Sequence, residues 1–188
     1  MTINGVACGL KAVSRHRIEF VVPQALSSAA AGTTYPLVII NNGTVMRTTV
    51  VIVPARPDIF TKNMIVGPGG RARLLNVTNS VFTSEPFAVR TIRRRGGRLV
   101  PTVLRIYATG IANVSSAVIS VRIRDSVISG AAVRSNTSLV DPGVYVFDFE
   151  LPAALDGAGD QPIIVTVTVD GVSFSSRLDD TSARIAIL

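Results

Sequence analysis

Tyr145-Val146-Phe147-Asp148-Phe149-Glu150-Leu151 decides the fold. Four large apolar side chains, Tyr145, Phe147, Phe149 and Leu151, alternate with Val146, Asp148 and Glu150. A period of two sends successive side chains to opposite faces, so this stretch is a strand with one oily and one wet face. Outward from it the same period recurs. Ile163, Val165, Val167 and Val169 alternate with Ile164, Thr166 and Thr168, and Ile119, Val121 and Ile123 alternate with Ser120, Arg122 and Arg124. Further strand-like runs cover 2–6, 9–13, 17–22, 36–40, 48–53, 73–77, 103–108 and 184–188, and β-branched residues, which suit a pleated, half-buried surface, fill most of them.

Turn residues punctuate these runs: Asn41-Asn42-Gly43, Asp141-Pro142-Gly143, Asp170-Gly171 and Gly67-Pro68-Gly69-Gly70. Asn-Gly and Asp-Gly between alternating segments signal hairpins. Helical periodicity is confined to a turn of helix within 24–31 and another within 152–156. Many short strands with regular turns predict an all-β protein, an antiparallel β-sandwich of Ig-like type.

The composition agrees. Of 188 residues, 47% are apolar and 16% charged, enough oil and little enough charge to build a core rather than a disordered chain. Apolar runs are short and interrupted, so no membrane span is expected. Seventeen basic side chains face four acidic ones over residues 1–140, whereas residues 141–188 hold two basic and eight acidic ones.

The chain also resembles itself. Residues 17–26 (Arg-Ile-Glu-Phe-Val-Val-Pro-Gln-Ala-Leu) align with 146–155 (Val-Phe-Asp-Phe-Glu-Leu-Pro-Ala-Ala-Leu), 36–43 with 164–171, and 48–53 falls opposite 184–188. Two related modules are expected, 1–58 and 59–188, the first shorter and incomplete. About 58 residues make a marginal isolated core, so the first module either packs its open face on the second or lacks strands. An open sheet edge there invites self-association.

Chemistry is sparse. His16, the single histidine, sits between Arg15 and Arg17 with no carboxylate to orient it, so a Ser-His-Asp arrangement is not expected. Cys8 reads as a small buried hydrophobe, and one Cys with one His cannot assemble a zinc site. No catalytic residue, metal or cofactor is therefore expected. Asp148 and Glu150 lie on one strand face about 7 Å apart, a spacing open to glycoside hydrolysis, though two acids opposite an Arg-bearing strand is the commoner arrangement. Asp156, Asp160, Asp179 and Asp180 offer oxygens to Ca²⁺ without an EF-hand spacing. Sequons at Asn42, Asn76, Asn113 and Asn136 are expected by chance in so Ser/Thr-rich a chain. Gly67-Pro68-Gly69-Gly70 lacks the Lys-Ser/Thr of a phosphate loop and reads as a turn.

The loudest feature is an arginine run, Arg90, Arg93, Arg94, Arg95 and Arg98, near Arg71, Arg73 and Arg105 in sequence. Arg forks match phosphate and anionic-polysaccharide oxygens, which makes the run a candidate anion- or polymer-binding site. The alternative is a hairpin turning at Gly96-Gly97 whose arginines are solvated or pair the acidic C-terminal part. No aromatic residue interrupts the run, so no specific nucleic acid is expected as partner.

Residues 2–7 (Thr-Ile-Asn-Gly-Val-Ala), 17–23 (Arg-Ile-Glu-Phe-Val-Val-Pro), 57–61 (Pro-Asp-Ile-Phe-Thr), 104–110 (Leu-Arg-Ile-Tyr-Ala-Thr-Gly) and 142–152, in that order, resemble motifs of a recurrent bacterial module. The chain is similar in this to the Solibacter-type uncharacterised C-terminal extracellular domain family, with Asp58 where that pattern has Gly. The resemblance implies Ig-like β-sandwich modules of large secreted or cell-surface proteins, with no catalytic residues to carry over. Partners would then be other domains of a larger polypeptide or surface polymers. Met1 leads into Thr-Ile-Asn-Gly-Val without the regions of a signal peptide, so an extracellular location implies a fragment or a leader already removed. A non-catalytic extracellular structural or interaction module is the expected function, with carbohydrate or anionic-polymer binding through the Arg-rich hairpin as the rival.

Overall fold

The computed structural model describes residues 1–62, 70–93, 96–112 and 114–188, without the side chains of Ser116 and Asp179. Gly67-Pro68-Gly69, Arg94, Arg95 and Asn113, singled out in the sequence, lie outside the described residues. The protein is all-β, and its described residues form antiparallel sheets and short 3-10 turns without an α-helix. Two compact units result, Met1–Pro54 and Ala55–Leu188. Arg56 and Asp58 belong to the second unit: the Arg56 N–H donates to the Gly110 carbonyl at 2.9 Å, and Asp58 pairs with Thr109.

In the first unit β1 (Thr2–Ile3), β2 (Val6–Ala7), β5 (Thr33–Asn41) and β6 (Thr44–Ile52) form a sheet in the order β2-β1-β5-β6. A second ladder joins β3 (Gly9–Val13) to β4 (Ile18–Val21). The run expected over 2–6 is broken in two, because Asn4 and Gly5 both take positive φ, at 50° and 77°, and reverse the chain. Asn42-Gly43 does the same between β5 and β6, with φ of 47° and 83°. Two successive positive φ values match the twist of a hairpin, and Asn and Gly tolerate them best. No helix forms over 24–31. Leu26 N–H donates to Pro23 O and Gly32 N–H to Ala29 O, two isolated turns too short to nucleate a helical ladder. Among the described residues of this unit only Ile3 and Cys8 are buried.

The second unit holds two five-stranded sheets. One runs β14 (Ser138–Asp141), β15 (Val144–Glu150), β11 (Val103–Thr109), β7 (Asp58–Ile59), with β8 (Leu74–Asn76) also on β11. The other runs β13 (Ser126–Ser129), β12 (Ile119–Ile123), β16 (Gly159–Val169), β17 (Val172–Ser175), with β18 (Ala183–Ile187) also on β16. Inward residues of both sheets, among them Leu104, Ile106, Phe147 and Phe149 from one and Val121, Ile163, Val165 and Ile185 from the other, share a single buried cluster. That is a sandwich-like packing of two oily faces. The alternation of 145–151 places Phe147, Phe149 and Leu151 in this core. Val146 is buried too, because β15 is flanked on both edges and sets Val146 between Tyr107 and Ser138. The Pro152 corner continues as a 3-10 turn, Ala153–Leu155.

Candidate functional site

The arginine run folds as a hairpin. β9 (Arg90–Ile92) pairs antiparallel with β10 (Leu99–Pro101), and the Arg93 N–H donates to the Arg98 carbonyl at 2.9 Å. Gly96 and Gly97, with φ of 86° and 60°, lie in the connection.

A buried chain of small polar side chains roots this hairpin in the second unit. Asn76 Nδ2 donates to Thr91 Oγ1 at 2.9 Å, and Thr91 shares a 2.7 Å hydrogen bond with the hydroxyl of Thr102. Thr102 in turn donates to the Ala88 carbonyl at 2.6 Å. Asn76 Oδ1 accepts the Thr78 N–H at 3.0 Å, and the Val103 N–H donates to Thr78 Oγ1 at 2.7 Å. Burial makes each of these bonds costly to leave unmade, so the network fixes where β9 and β10 stand.

Arg90, Arg93 and Arg98 are exposed, and among the described residues no carboxylate pairs with them. An open groove of about 300 Å³ lies beside the hairpin, lined by Arg93, Val100 and Pro101, by Thr78 and Asn79, and by Arg134 and Asp148. The apolar pair Ile92 and Leu99 stays exposed on the hairpin, across from each other in the ladder.

The acids behave differently. Arg105 Nε and Nη2 donate to the two carboxylate oxygens of Asp148 at 2.8 and 2.9 Å, a bidentate fork across the β11–β15 ladder. That contact raises the Arg105 pKa, against the opposing effect of burial. Arg134 pairs with Glu150. Of the two acids considered for glycoside hydrolysis, Asp148 lines the groove and Glu150 is absent from its lining, and each is held by an arginine.

A second ionic cluster joins the start of the second unit to its last strands. Glu85 accepts Arg71 Nε at 3.1 Å, Arg71 Nη2 at 2.7 Å, Lys62 Nζ at 3.0 Å and the Ala186 N–H at 3.1 Å. Burial pushes the Glu85 carboxyl upward, but the hydrogen bonds from Arg71, Lys62 and Ala186 outweigh it and hold the pKa below its ordinary value. Asp160 bridges Arg71 and Arg184, and its pKa is likewise lowered by those two arginines in spite of burial. The hydrogen bond to Glu85 is the main reason the Arg71 pKa is raised.

Among the described residues the arginines that pair acids are thus Arg17, Arg71, Arg105, Arg124, Arg134, Arg177 and Arg184, and Arg90, Arg93 and Arg98 are not among them. Sequence reading named Arg71 and Arg105 only as neighbours of that run. Arg134, which lines the same groove as Arg93, is a lone arginine in a Ser/Val-rich stretch and gives no signal in sequence. His16 is exposed between β3 and β4, and Cys8 is buried. The described Asp, Glu, His and Cys side chains do not gather in threes around a common point. No family model, curated protein or solved structure matches this chain.

Proposed function

We propose that this chain is a non-catalytic structural or interaction module of a bacterial secreted or cell-surface protein. The observation that carries the reading is the engagement of Glu85, Asp148, Glu150 and Asp160 by arginines, Glu85 and Asp148 through bidentate forks. A carboxylate clamped this way is an acceptor for its partner, not an acid or base poised for a substrate proton. The order of the 2–7, 17–23, 57–61, 104–110 and 142–152 motifs, resembling the Solibacter-type extracellular family, supports the secreted setting and an Ig-like description of the sandwich. The test is turnover. The chain, incubated with polysaccharide and aryl-glycoside substrates, releases no more product than its Asp148→Asn/Glu150→Gln double variant. Product released by the native chain and lost in the double variant overturns the reading.

The Arg-rich hairpin favours a second reading, binding of an anionic polysaccharide. Arg90, Arg93 and Arg98 are exposed without carboxylate partners among the described residues, and Arg93 and Arg134 face one groove. Fixed cations beside an open groove suit a chain of sulfates or carboxylates, with affinity that falls steeply as salt rises. Retention on heparin at low salt, abolished in an Arg93/Arg94/Arg95→Ala variant, is the expected result; absence of retention removes this reading.

A further inference from the structure

The two units share a strand plan and differ at one sheet edge. The order β2-β1-β5-β6 has the form of β13-β12-β16-β17: a hairpin whose first strand lies beside a long strand, which turns through Asx-Gly into the last strand. This places β6 opposite β17 rather than opposite β18, where sequence alignment alone had set residues 48–53. The ladder β3-β4 then corresponds to β14-β15, with Ile18, Glu19 and Phe20 on Phe147, Asp148 and Phe149.

In the second unit β15 is covered on both edges, by β14 and by β11. In the first, among the described residues, β4 pairs only with β3. Backbone direction identifies the bare edge as the one that β11 fills. Asp148 N–H donates to Ser135 and Asp148 O accepts the Arg134 N–H, so residue 148 bonds toward the β14 side and Phe147 and Phe149 bond toward β11. Likewise Arg17 O accepts the Ser14 N–H on the β3 side. By alternation Glu19 bonds toward β3, and Ile18 and Phe20 turn their backbone groups to the uncovered edge. Burial agrees: Phe147 and Phe149 are fully buried, whereas Ile18 and Phe20 are half-buried and Val22, at the position of the buried Leu151, is 41% exposed.

We propose that the free edge of β4 is a strand-acceptor site. It takes, antiparallel, an extended segment of another polypeptide with the pattern of β11: apolar, arginine, apolar, with the cation across Glu19 as Arg105 lies across Asp148. Backbone hydrogen bonds to Ile18 and Phe20 hold the added strand, and its apolar side chains cover the half-buried face. Among the described residues Glu19 pairs with the exposed Arg17, at 2.7 Å, an ion pair of little energy that a facing arginine replaces readily. A second copy's β4 fits worse. Pairing two such edges over most of their length sets Glu19 opposite Glu19, like charge against like. The proposal deepens the interaction-module reading and rests on it. A null result here leaves the absence of turnover untouched, so the two fail separately.

The test uses the full chain and a labelled peptide of residues 101–110 (Pro-Thr-Val-Leu-Arg-Ile-Tyr-Ala-Thr-Gly). Saturable binding by fluorescence anisotropy is expected, with slowed hydrogen exchange at the Ile18 and Phe20 amides and none at Phe147 and Phe149. Replacing the peptide's arginine by glutamate weakens binding about fivefold, and a Glu19→Arg chain restores it, as facing charges across a ladder require. Three outcomes overturn the proposal: no saturable binding; binding blind to the charge swap, or with protection elsewhere than β4; and Ile18 and Phe20 protection that rises with protein concentration without peptide, which assigns the edge to a second copy.

Discussion

Gly110 is where the second unit tolerates least. Its φ is +69°, and a Cβ there meets the Arg56 carbonyl oxygen at 1.8 Å. The Gly110 carbonyl also accepts the Arg56 N–H, so the two backbones lie in direct contact and cannot separate without losing that bond. Gly110→Ala is expected to destabilise the protein by about 3 kcal/mol, the strained φ adding to the clash, and chemical denaturation measures it. Asn76 holds a different kind of position. Its side chain donates to Thr91 and accepts from Thr78 in a buried setting, so Asn76→Ala leaves the Thr78 N–H without its acceptor, removes a donor from Thr91 and costs about 2 kcal/mol. Because the same chain of bonds roots the arginine hairpin, Asn76→Ala is also expected to speed amide exchange in β9 and β10.

At the scale of elements, the Glu85 cluster ties Lys62 and Arg71 to β18 through the Ala186 N–H. The fold lowers the Glu85 pKa, so its contribution is present above the ordinary glutamate value of 4.5 and drains away as pH falls through the lower folded value. Thermal stability of the native chain is therefore expected to fall on acidification below that value. A Glu85→Gln variant, about 2 kcal/mol less stable at neutral pH, should show a flatter acid limb, the two curves converging at low pH. Such clusters explain what the sequence hid. The long alternating strands β11, β12, β15 and β16 were legible because each carries an oily face of period two. β13, β14 and β17 are less legible, since Ser and Asp dilute that period and their partners rather than their own residues make them strands. The charge contrast along the chain hinted at cross-pairing, but which arginines pair depends on the register of the β11–β15 ladder and on the meeting of residue 71 with residues 85 and 160. Local pattern carries none of that.

Each unit considered as a whole has its own resistance to opening. Only Ile3 and Cys8 are buried in Met1–Pro54, whereas the core of Ala55–Leu188 draws on both of its sheets. Hydrogen exchange is expected to be fast throughout β3, β4 and β6 and slow in β11, β15 and β16, with a lower-temperature transition assigned to the first unit. Equal protection in the two units contradicts this. The position of β18 carries a further consequence. Ile185 and Ile187 fill the core, the Arg184 carbonyl accepts the Ala72 N–H, the Ala186 carbonyl accepts the Phe87 N–H, and Glu85 receives the Ala186 N–H. During translation these residues leave the ribosome after every other strand of the sandwich. Until they emerge, the nascent unit stands with a seam unsewn, and a ribosome stalled a few codons short of residue 183 would leave it a target for chaperones and proteases.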